Sequence, residues 1–163
     1  MSAVIGIDPD ARQLAYALVE GSTWDAHSIA RTTKTGDFFA EYERGLVALM
    51  RDAQSLGAMV YLEDVFLALA GEKNAERRNV RTYRVLCEVQ GEIRYEARRH
   101  GVPVVNVRAS EWRAAVLGQT ANRDAMKALA RARAERDCVG LDLTEHECEA
   151  VCIAEYGVME HGK

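Results

Sequence analysis

The chain has 163 residues, of which 48% are hydrophobic and 28% charged, and its formal net charge at pH 7 is −4. This length and composition predict one globular domain, residues 1–163, with one sizeable core. The sequence contains no membrane-length apolar run and no basic-then-apolar leader, so we expect a cytoplasmic protein that does not enter a membrane. The negative net charge argues against a protein that binds nucleic acids indiscriminately.

The first predicted element is a buried strand that ends in an acid. Val4, Ile5 and Ile7 form a short apolar run, which is typical of a strand covered on both faces. Pro9 stops this strand directly after Asp8. A carboxylate at the end of a central strand must be paired, protonated or bound to a metal, because burial of an unpaired charge is costly. An ordinary turn acid is the alternative.

Three more strands and one helix are predicted in the next part of the chain. Residues 13–20 and 24–30 have the patterns of two strands joined by a turn at Gly21. Residues 37–55 repeat apolar side chains with helical period, and Gly57 follows where the helix would stop. Residues 58–63 form a second apolar strand, which ends in the carboxylate of Glu63. Two central strands that both end in acids are less ordinary than one.

A long helix is predicted over residues 79–100, after a loop or frayed helix start at 67–78. Gly91 inside it costs about 1 kcal/mol of helix propensity relative to alanine, which suggests close packing against another backbone. Such a helix could face a partner subunit. Arginines are concentrated in this middle part of the chain, where they would either contact phosphates or form a solvated helix face.

Another strand and two shorter helices are predicted before the last element. The strand covers residues 102–107, with Pro103 near its beginning. Ser110 can cap a short helix that ends near Gly118, and Asn122 can cap a helix that runs to about residue 136.

The last predicted helix begins at a capping box, with Thr144 as the N-cap and Glu147 at the third helical position. Residues 150–154 are apolar all round, which predicts a buried helix. His146 and Glu149 are three residues apart and therefore share one side at its start. Capping does not explain a histidine and an acid on one side of the helix, which suggests a functional site. The alternative is that His146 is a structural histidine.

The four cysteines predict reduced thiols. They have no CxxC spacing and no disulfide-scaffold density. Cys148 and Cys152 are one helical turn apart, but no matching second pair exists, so a structural zinc site is disfavoured.

Acidic ligands from distant parts of the chain predict a metal site. Asp8 and Glu63 end neighbouring strands, and the helix that carries His146 and Glu149 could cross the same sheet. Hard divalent cations prefer carboxylate oxygens, and two ions about 3.5–4 Å apart can hold both the attacking and the leaving oxygen of a phosphodiester. One histidine among carboxylates is compatible with Mg²⁺ and somewhat favours Mn²⁺.

The chain resembles the RuvC family of Holliday junction resolvases, especially its phage-like members. The resemblance covers nearly the whole chain and rests on motifs in the family's order and approximate spacing: Gly6-Ile7-Asp8-Pro9, Leu62-Glu63-Asp64-Val65-Phe66, and His146 and Glu149 followed by Ala150-Val151-Cys152-Ile153-Ala154. It implies an α/β, RNase H-like fold with a mixed central sheet flanked by helices. It further implies a homodimeric crossover junction endodeoxyribonuclease that makes paired symmetric nicks in four-way and related branched DNA.

The resemblance also implies residue roles. The family's metal-binding positions fall on Asp8, Glu63, His146 and Glu149. Two Mg²⁺ ions per active site are expected, with Mn²⁺ as a substitute. In the expected two-metal hydrolysis Asp8 bridges both ions, Glu63 and Glu149 each hold one, and His146 completes a coordination sphere or helps to activate the attacking water.

The expected DNA-binding residues lie in the middle of the chain. The family's basic residues near the scissile phosphate fall on Arg113 and Arg123, and its aromatic wedge at the junction centre falls on Phe66. Phe66 would stack on a base, with core or dimer packing as its alternative. The remaining residues expected to steer the DNA backbone are Arg77, Arg78 and Arg81.

The chain departs from the family pattern at several of these positions. Glu149 stands where the family usually has aspartate, His146 where it mostly has an acid, and Asp10 where it usually has glycine. Arg113 and Arg123 replace residues that tend to be lysine. Glu145 is an alternative metal ligand.

Two other classes of function stay open. One is a related RNase H-like nuclease that acts on forks, flaps or RNA. The other is a dimeric branched-DNA binder that does not cut. An actin-like nucleotide-binding domain is disfavoured, because no later glycine-rich phosphate loop follows the first strand.

Overall fold

The structure is a computed structural model that describes residues 3–31, 38–64, 73–118 and 122–161, with side chains except those of 38–40, 73–79 and 81. Its strands are β1 Val4–Pro9, β2 Gln13–Glu20, β3 Thr23–Ala30, β4 Met59–Glu63 and β5 Val104–Val107. Its helices are α1 Phe38–Leu56, α2 Lys73–Arg99, α3 Ala109–Trp112, α4 Arg123–Asp137 and α5 Glu145–His161. A π-helical segment, Arg113–Leu117, continues α3.

The strands form one mixed sheet with the order β3-β2-β1-β4-β5. The first three strands pair antiparallel, whereas β4 is parallel to both β1 and β5. The β1–β4 register pairs Val4 with Met59 and Ile7 with Leu62. Because these two central strands are parallel, their carboxyl ends meet at the same edge of the sheet. The predicted mixed sheet is therefore confirmed. Glu63 is the last residue of β4, as predicted, whereas β1 continues one residue past Asp8, because Pro9 still pairs with Leu14 of β2.

Helices cover both faces of the sheet, and the strand period of two decides which side chains face which layer. Ile5 and Ile7 of β1 are fully buried on the face covered by α1 and α2. Val4 of β1 and Tyr61 of β4 are buried on the opposite face, with α4 and α5. Continuing this alternation places Asp8 and Glu63 on the α5 side.

The closest approach between sheet and helix is at Gly6. A Cβ atom on Gly6 would overlap the backbone nitrogen of Ala154 and the backbone oxygen of Ala150, so only glycine fits there. Ala150 and Ala154 lie one helical turn apart on α5, which presents a surface of small side chains to β1. This contact directs the first turn of α5 towards the carboxyl end of β1.

Most predicted elements are confirmed, including the capping box of α5. The Thr144 hydroxyl accepts from the Glu147 N–H at 3.3 Å, and the Glu147 carboxylate accepts from the Thr144 N–H at 2.8 Å. Asn122 caps α4 as predicted, accepting from the backbone N–H of Asp124 at 2.9 Å. Gly57 ends α1 with a φ of +60°.

Some details of the predicted elements differ from the structure. The long helix begins at Lys73, within the segment 67–78 that was predicted as a loop or a frayed helix start, because residues 73–78 are mostly good helix formers despite their lack of period. The N-cap of α3 is Arg108 rather than Ser110, since the Glu111 carboxylate accepts from the Arg108 N–H at 3.0 Å. Strand β5 begins at Val104, after Pro103.

The packing predicted at Gly91 is not found within the described part of this chain. No atom outside its own helix backbone and chain neighbours lies within 4 Å of a Cβ built there, and the residue is exposed. A contact with a partner subunit at this position stays a prediction. None of the described helices is long and apolar enough to cross a membrane.

Candidate active site

Three acidic side chains meet where β1 and β4 end beneath the start of α5. Asp8 comes from β1, Glu63 from β4 and Glu149 from the second turn of α5. One carboxylate oxygen from each lies within 4.8 Å of those of the other two. Asp8 is only 6% exposed, whereas Glu63 and Glu149 are half-buried. The sequence predicted the convergence of these three residues.

The acidic cluster holds more negative charge than its surroundings neutralise. Burial, and then the Asp8 carboxylate, raises the pKa of Glu63 to about 7, although the Trp112 hydrogen bond and Arg113 oppose this effect. Burial and Asp8 also raise the pKa of Glu149. A cation among the three carboxylates would remove this repulsion, and an all-oxygen donor set suits Mg²⁺ or Mn²⁺. The residues present therefore fit a divalent metal ion.

His146 contacts the acidic cluster through Asp8. Its Nδ1 lies 2.6 Å from Asp8 Oδ2, and this hydrogen bond is the main reason that the pKa of His146 is raised to about 9. In the protonated form the imidazolium donates to Asp8, and the same nitrogen cannot bind a metal at the same time. His146 lies outside the group of three carboxylates whose oxygens come within 4.8 Å of one another.

Trp112 fixes the side chain of Glu63. The fully buried indole donates from Nε1 to Glu63 Oε2 at 2.7 Å. A buried tryptophan needs an acceptor for its N–H. We did not predict Trp112 as a site residue, and the only signal was its place beside Arg113, in a segment whose packing the sequence did not reveal.

Gln90 fixes the backbone of Glu63. The β1–β4 pairing ends at Ile7 and Leu62, and the Glu63 carbonyl oxygen accepts instead from Gln90 Nε2 at 2.6 Å. Arg94 donates to Gln90 Oε1 at 3.2 Å and to Asn106 Oδ1 at 2.9 Å, which holds the amide of Gln90 in this orientation. Gln90 is 4% exposed and, like Trp112, was not predicted as a site residue.

Arg113 connects the acidic cluster to the π-helical segment. Its guanidinium donates to Glu149 Oε2 at 3.3 Å and lies 5.0 Å from the centre of the Trp112 ring. The segment ends at Gly118, whose φ of +77° favours glycine. The predicted basic residue therefore lies directly beside the acids.

A cleft of about 380 Å³ opens above Asp8 and Glu149. Arg113, Arg123 and Lys127 form its basic wall. Glu145 also lines the cleft, but its Oε1 lies 2.7 Å from Lys127 Nζ rather than among the three carboxylates. The structure thus brings together both predicted arginines, and it adds Lys127, which the sequence analysis did not single out.

The other predicted DNA-binding residues are not described at side-chain level. Phe66 lies outside the described residues. Arg77, Arg78 and Arg81 lie on α2, and their side chains are outside the description.

Comparisons with known proteins identify the fold. No model of a known protein family matches the sequence, and a search of curated proteins also finds no match. Solved structures do match. The RuvC structure of Thermus thermophilus in complex with a Holliday junction substrate has a TM-score of 0.65 at 17% identity, with 98% of this chain and 97% of that chain covered.

Two further structures support the same fold. Another Thermus thermophilus RuvC structure has a TM-score of 0.63 at 19% identity and covers 97% of this chain and 96% of its own. The Fowlpox virus resolvase in complex with Holliday junction DNA has a TM-score of 0.52 at 11% identity, with 99% of each chain covered. The chain therefore has the predicted α/β, RNase H-like fold, in the form found in RuvC.

Proposed function

We propose that the chain is a RuvC-like endonuclease that resolves Holliday junctions. The convergence of Asp8, Glu63 and Glu149 beneath a basic wall carries this proposal, because such a site suits metal-assisted cleavage of a phosphodiester. The likeness to two kinds of Holliday junction resolvase over nearly the whole chain supports branched DNA as the substrate.

Asp8, Glu63 and Glu149 would hold the divalent metal, which we propose to be Mg²⁺ with Mn²⁺ as a substitute and two ions per site. Bound there, the metal would lower the pKa of the attacking water and stabilise negative charge at the scissile phosphate. Trp112 and Gln90 would keep Glu63 in place during this chemistry, since each bonds a different part of that residue.

His146 is proposed to act through Asp8 or directly on the attacking water. Its hydrogen bond orients the Asp8 carboxylate, and it would either complete the ligand set or exchange a proton with the attacking water. A His146→Asp variant separates these roles. An acid there can replace a ligand but cannot supply the imidazole's proton near neutral pH, so retained cleavage would support the ligand role.

The basic wall is proposed to hold the scissile strand. Arg113 and Arg123 would contact the scissile phosphate and stabilise its negative charge. For the residues whose side chains are not described, the predictions stand: Phe66 would stack on a base at the crossover, and Arg77, Arg78 and Arg81 would steer the backbone.

Resolution by paired nicks also implies a homodimer. The described part of one chain contains one cluster of three acids, whereas a junction must be cut in two strands. A symmetric dimer would place two such sites on the two related strands.

The proposed function is tested by incubating the purified protein with a labelled four-way junction, a fork, a flap, an RNA–DNA hybrid and linear duplex. Each is incubated with Mg²⁺, with Mn²⁺ and with EDTA. Paired symmetric nicks in the junction, lost in EDTA and in Asp8→Asn, are the expected result. Equal cutting of forks and flaps would make general debranching the better description. Tight junction binding without metal-dependent cutting would overturn the nuclease in favour of a binding protein.

A further inference from the structure

An ion pair occupies the rim of the cleft. Lys127 Nζ lies 2.7 Å from Glu145 Oε1, and the two side chains are 33% and 49% exposed. Both residues line the cleft. Neither is needed to hold the three carboxylates together, so the proposed chemistry leaves the pair unexplained.

Lys127 lies beside a residue already proposed to bind phosphate. It follows Arg123 by one turn of α4, so both side chains leave the same face of that helix. Both line the cleft, together with Arg113 from the π-helical segment. The wall that faces the acidic cluster therefore carries three cations rather than two.

Glu145 lies where an anion is favoured. It is the first residue of α5, and the N-terminal end of a helix dipole attracts negative charge. Lys127 supplies a second attraction through their ion pair at 2.7 Å. A DNA phosphate oxygen offers the same negative charge and hydrogen-bond acceptors as this carboxylate.

We infer that Lys127 is a third phosphate-binding residue of the cleft. In the free protein its ammonium group is paired with Glu145, and a phosphate of the bound DNA displaces the Glu145 carboxylate. The inference rests on the proposed function for the identity of the ligand. Half-exposed ion pairs contribute little to stability, so the exchange of carboxylate for phosphate costs little. Displacement leaves Glu145 free at the edge of the site.

The exchange has a signature in the salt dependence of binding. A lysine that neutralises a DNA phosphate releases a counterion condensed on the DNA, which steepens the fall of log Kobs with log salt by about 0.9 per contact. In the native protein the displaced Glu145 carboxylate stays beside the DNA at the edge of the site and takes up a cation there, so the exchange releases little net salt. Removal of the Glu145 charge should therefore increase both the affinity and the salt slope.

The experiment measures binding of a fluorescent four-way junction by anisotropy, in EDTA, over a range of salt concentrations. The variants are Glu145→Gln, Lys127→Met and the double variant, with Lys127→Arg to keep the charge. Glu135→Gln is the matched control, because it removes the same charge from another exposed ion pair on α4, with Arg131, outside the residues that line the cleft.

Glu145→Gln is expected to tighten binding about threefold at low salt and to steepen the salt slope by about one unit, given the modest strength of exposed ion pairs. Lys127→Met should weaken binding and abolish the effect of Glu145→Gln. Lys127→Arg should bind as the native protein does, and Glu135→Gln should change neither affinity nor slope.

Two results would overturn the inference: an unchanged slope in Glu145→Gln, or an equal gain of affinity from Glu145→Gln with and without Lys127. A melting curve shows whether each variant is folded. If the Lys127 variants do not fold, the salt slopes of Glu145→Gln and Glu135→Gln still test the inference. Cleavage is assayed separately with Mg²⁺. If the native protein cuts junctions but Glu145→Gln does not steepen the salt slope, only the proposed role of Lys127 is overturned. If Glu145→Gln steepens the salt slope but the native protein never cuts, the proposed nuclease function is overturned.

Discussion

The acidic cluster of Asp8, Glu63 and Glu149, called the floor from here on, and the basic wall of the cleft carry opposite charges and are built differently. Glu63 in the floor is half-buried, bonded through both its side chain and its backbone, and has a raised pKa. Glu145 at the rim is half-exposed, has a single lysine partner and has a lowered pKa. The comparison indicates that the floor is organised for a fixed chemical geometry, whereas the wall is held by contacts that a substrate can exchange.

The largest expected effect comes from removing one charge in the floor. Asp8→Asn or Glu63→Gln should reduce junction cleavage by more than about a hundredfold, because the loss of a ligand exceeds the 10- to 100-fold effect of outer-shell partners. Junction binding in EDTA should persist, since the phosphate-binding wall is intact. Cleavage and anisotropy assays measure the two properties. Normal cleavage by Asp8→Asn would contradict the metal-site assignment.

A smaller loss is expected when the support of the floor is removed. Trp112→Phe keeps most of the buried ring but leaves Glu63 Oε2 without its indole donor. We expect about a 10- to 100-fold loss of metal affinity or cleavage, together with about 1–3 kcal/mol of stability for the unpaired acceptor.

Metal titration of the cleavage rate and chemical denaturation measure these two effects of Trp112→Phe. Leu117→Met, a change on the same cleft wall that touches no carboxylate hydrogen bond, is the control. A stability loss with unchanged metal dependence would show that Trp112 only fills the core.

A change at the boundary between the two regions should affect both. Arg113→Ala removes a cation from the wall and the partner of Glu149 at 3.3 Å. Junction binding should weaken about tenfold, as expected for a charge-assisted contact of about 1.5 kcal/mol, and cleavage should fall further. Arg113→Lys should restore most of the binding. If Arg113→Ala weakens cleavage but binds the junction with native affinity, Arg113 acts only on the acidic cluster and does not bind DNA.

The smallest expected effect is the pH dependence of the metal-free protein. The raised pKa of Glu63, about 7, means that its ionisation opposes folding as pH rises from about 4.5 to 7. The raised pKa of His146, about 9, means that its stabilisation is complete below about pH 6.5 and is lost as pH rises towards 9. Both changes lower stability with increasing pH.

In EDTA the melting temperature should therefore fall by a few degrees between pH 5.5 and 9, since about 1 kcal/mol corresponds to about 2–4 °C in a domain of this size. Glu63→Gln should remove the part of the fall below pH 7, and His146→Gln the part above it. Scanning calorimetry measures both. A melting temperature that rises over this range in the native protein and equally in both variants would contradict the electrostatics of the floor.

Local patterns were sufficient to predict much of the floor. A short apolar run followed by an acid marked the ends of β1 and β4, and a capping box marked the start of α5. These signals involve neighbours within a few residues of one another, so they survive without knowledge of the packing. The start of α2 was left open between a loop and a frayed helix, because good helix formers without an apolar period do not produce a periodic signal.

The partners of the floor could not be predicted in the same way. Trp112 and Gln90 are 49 and 27 residues from Glu63 in the chain and meet it only because α2 and α3 pack beside the end of β4. Lys127 belongs to the cleft only because α4 and α5 bring it to Glu145. The sequence around Trp112, Gln90 and Lys127 has no local pattern that indicates their contacts with Glu63 and Glu145.

The sequence by itself determined which strands end in carboxylates, where α5 begins and that its middle is buried, because periodicity and capping are short-range properties of the chain. Only the tertiary structure decided that His146 pairs with Asp8, that Trp112 bonds Glu63 and that Lys127 meets Glu145. Those choices depend on how closely α5 approaches Gly6 and on which helices surround the ends of the parallel strands, and both are set by the packing of the whole domain.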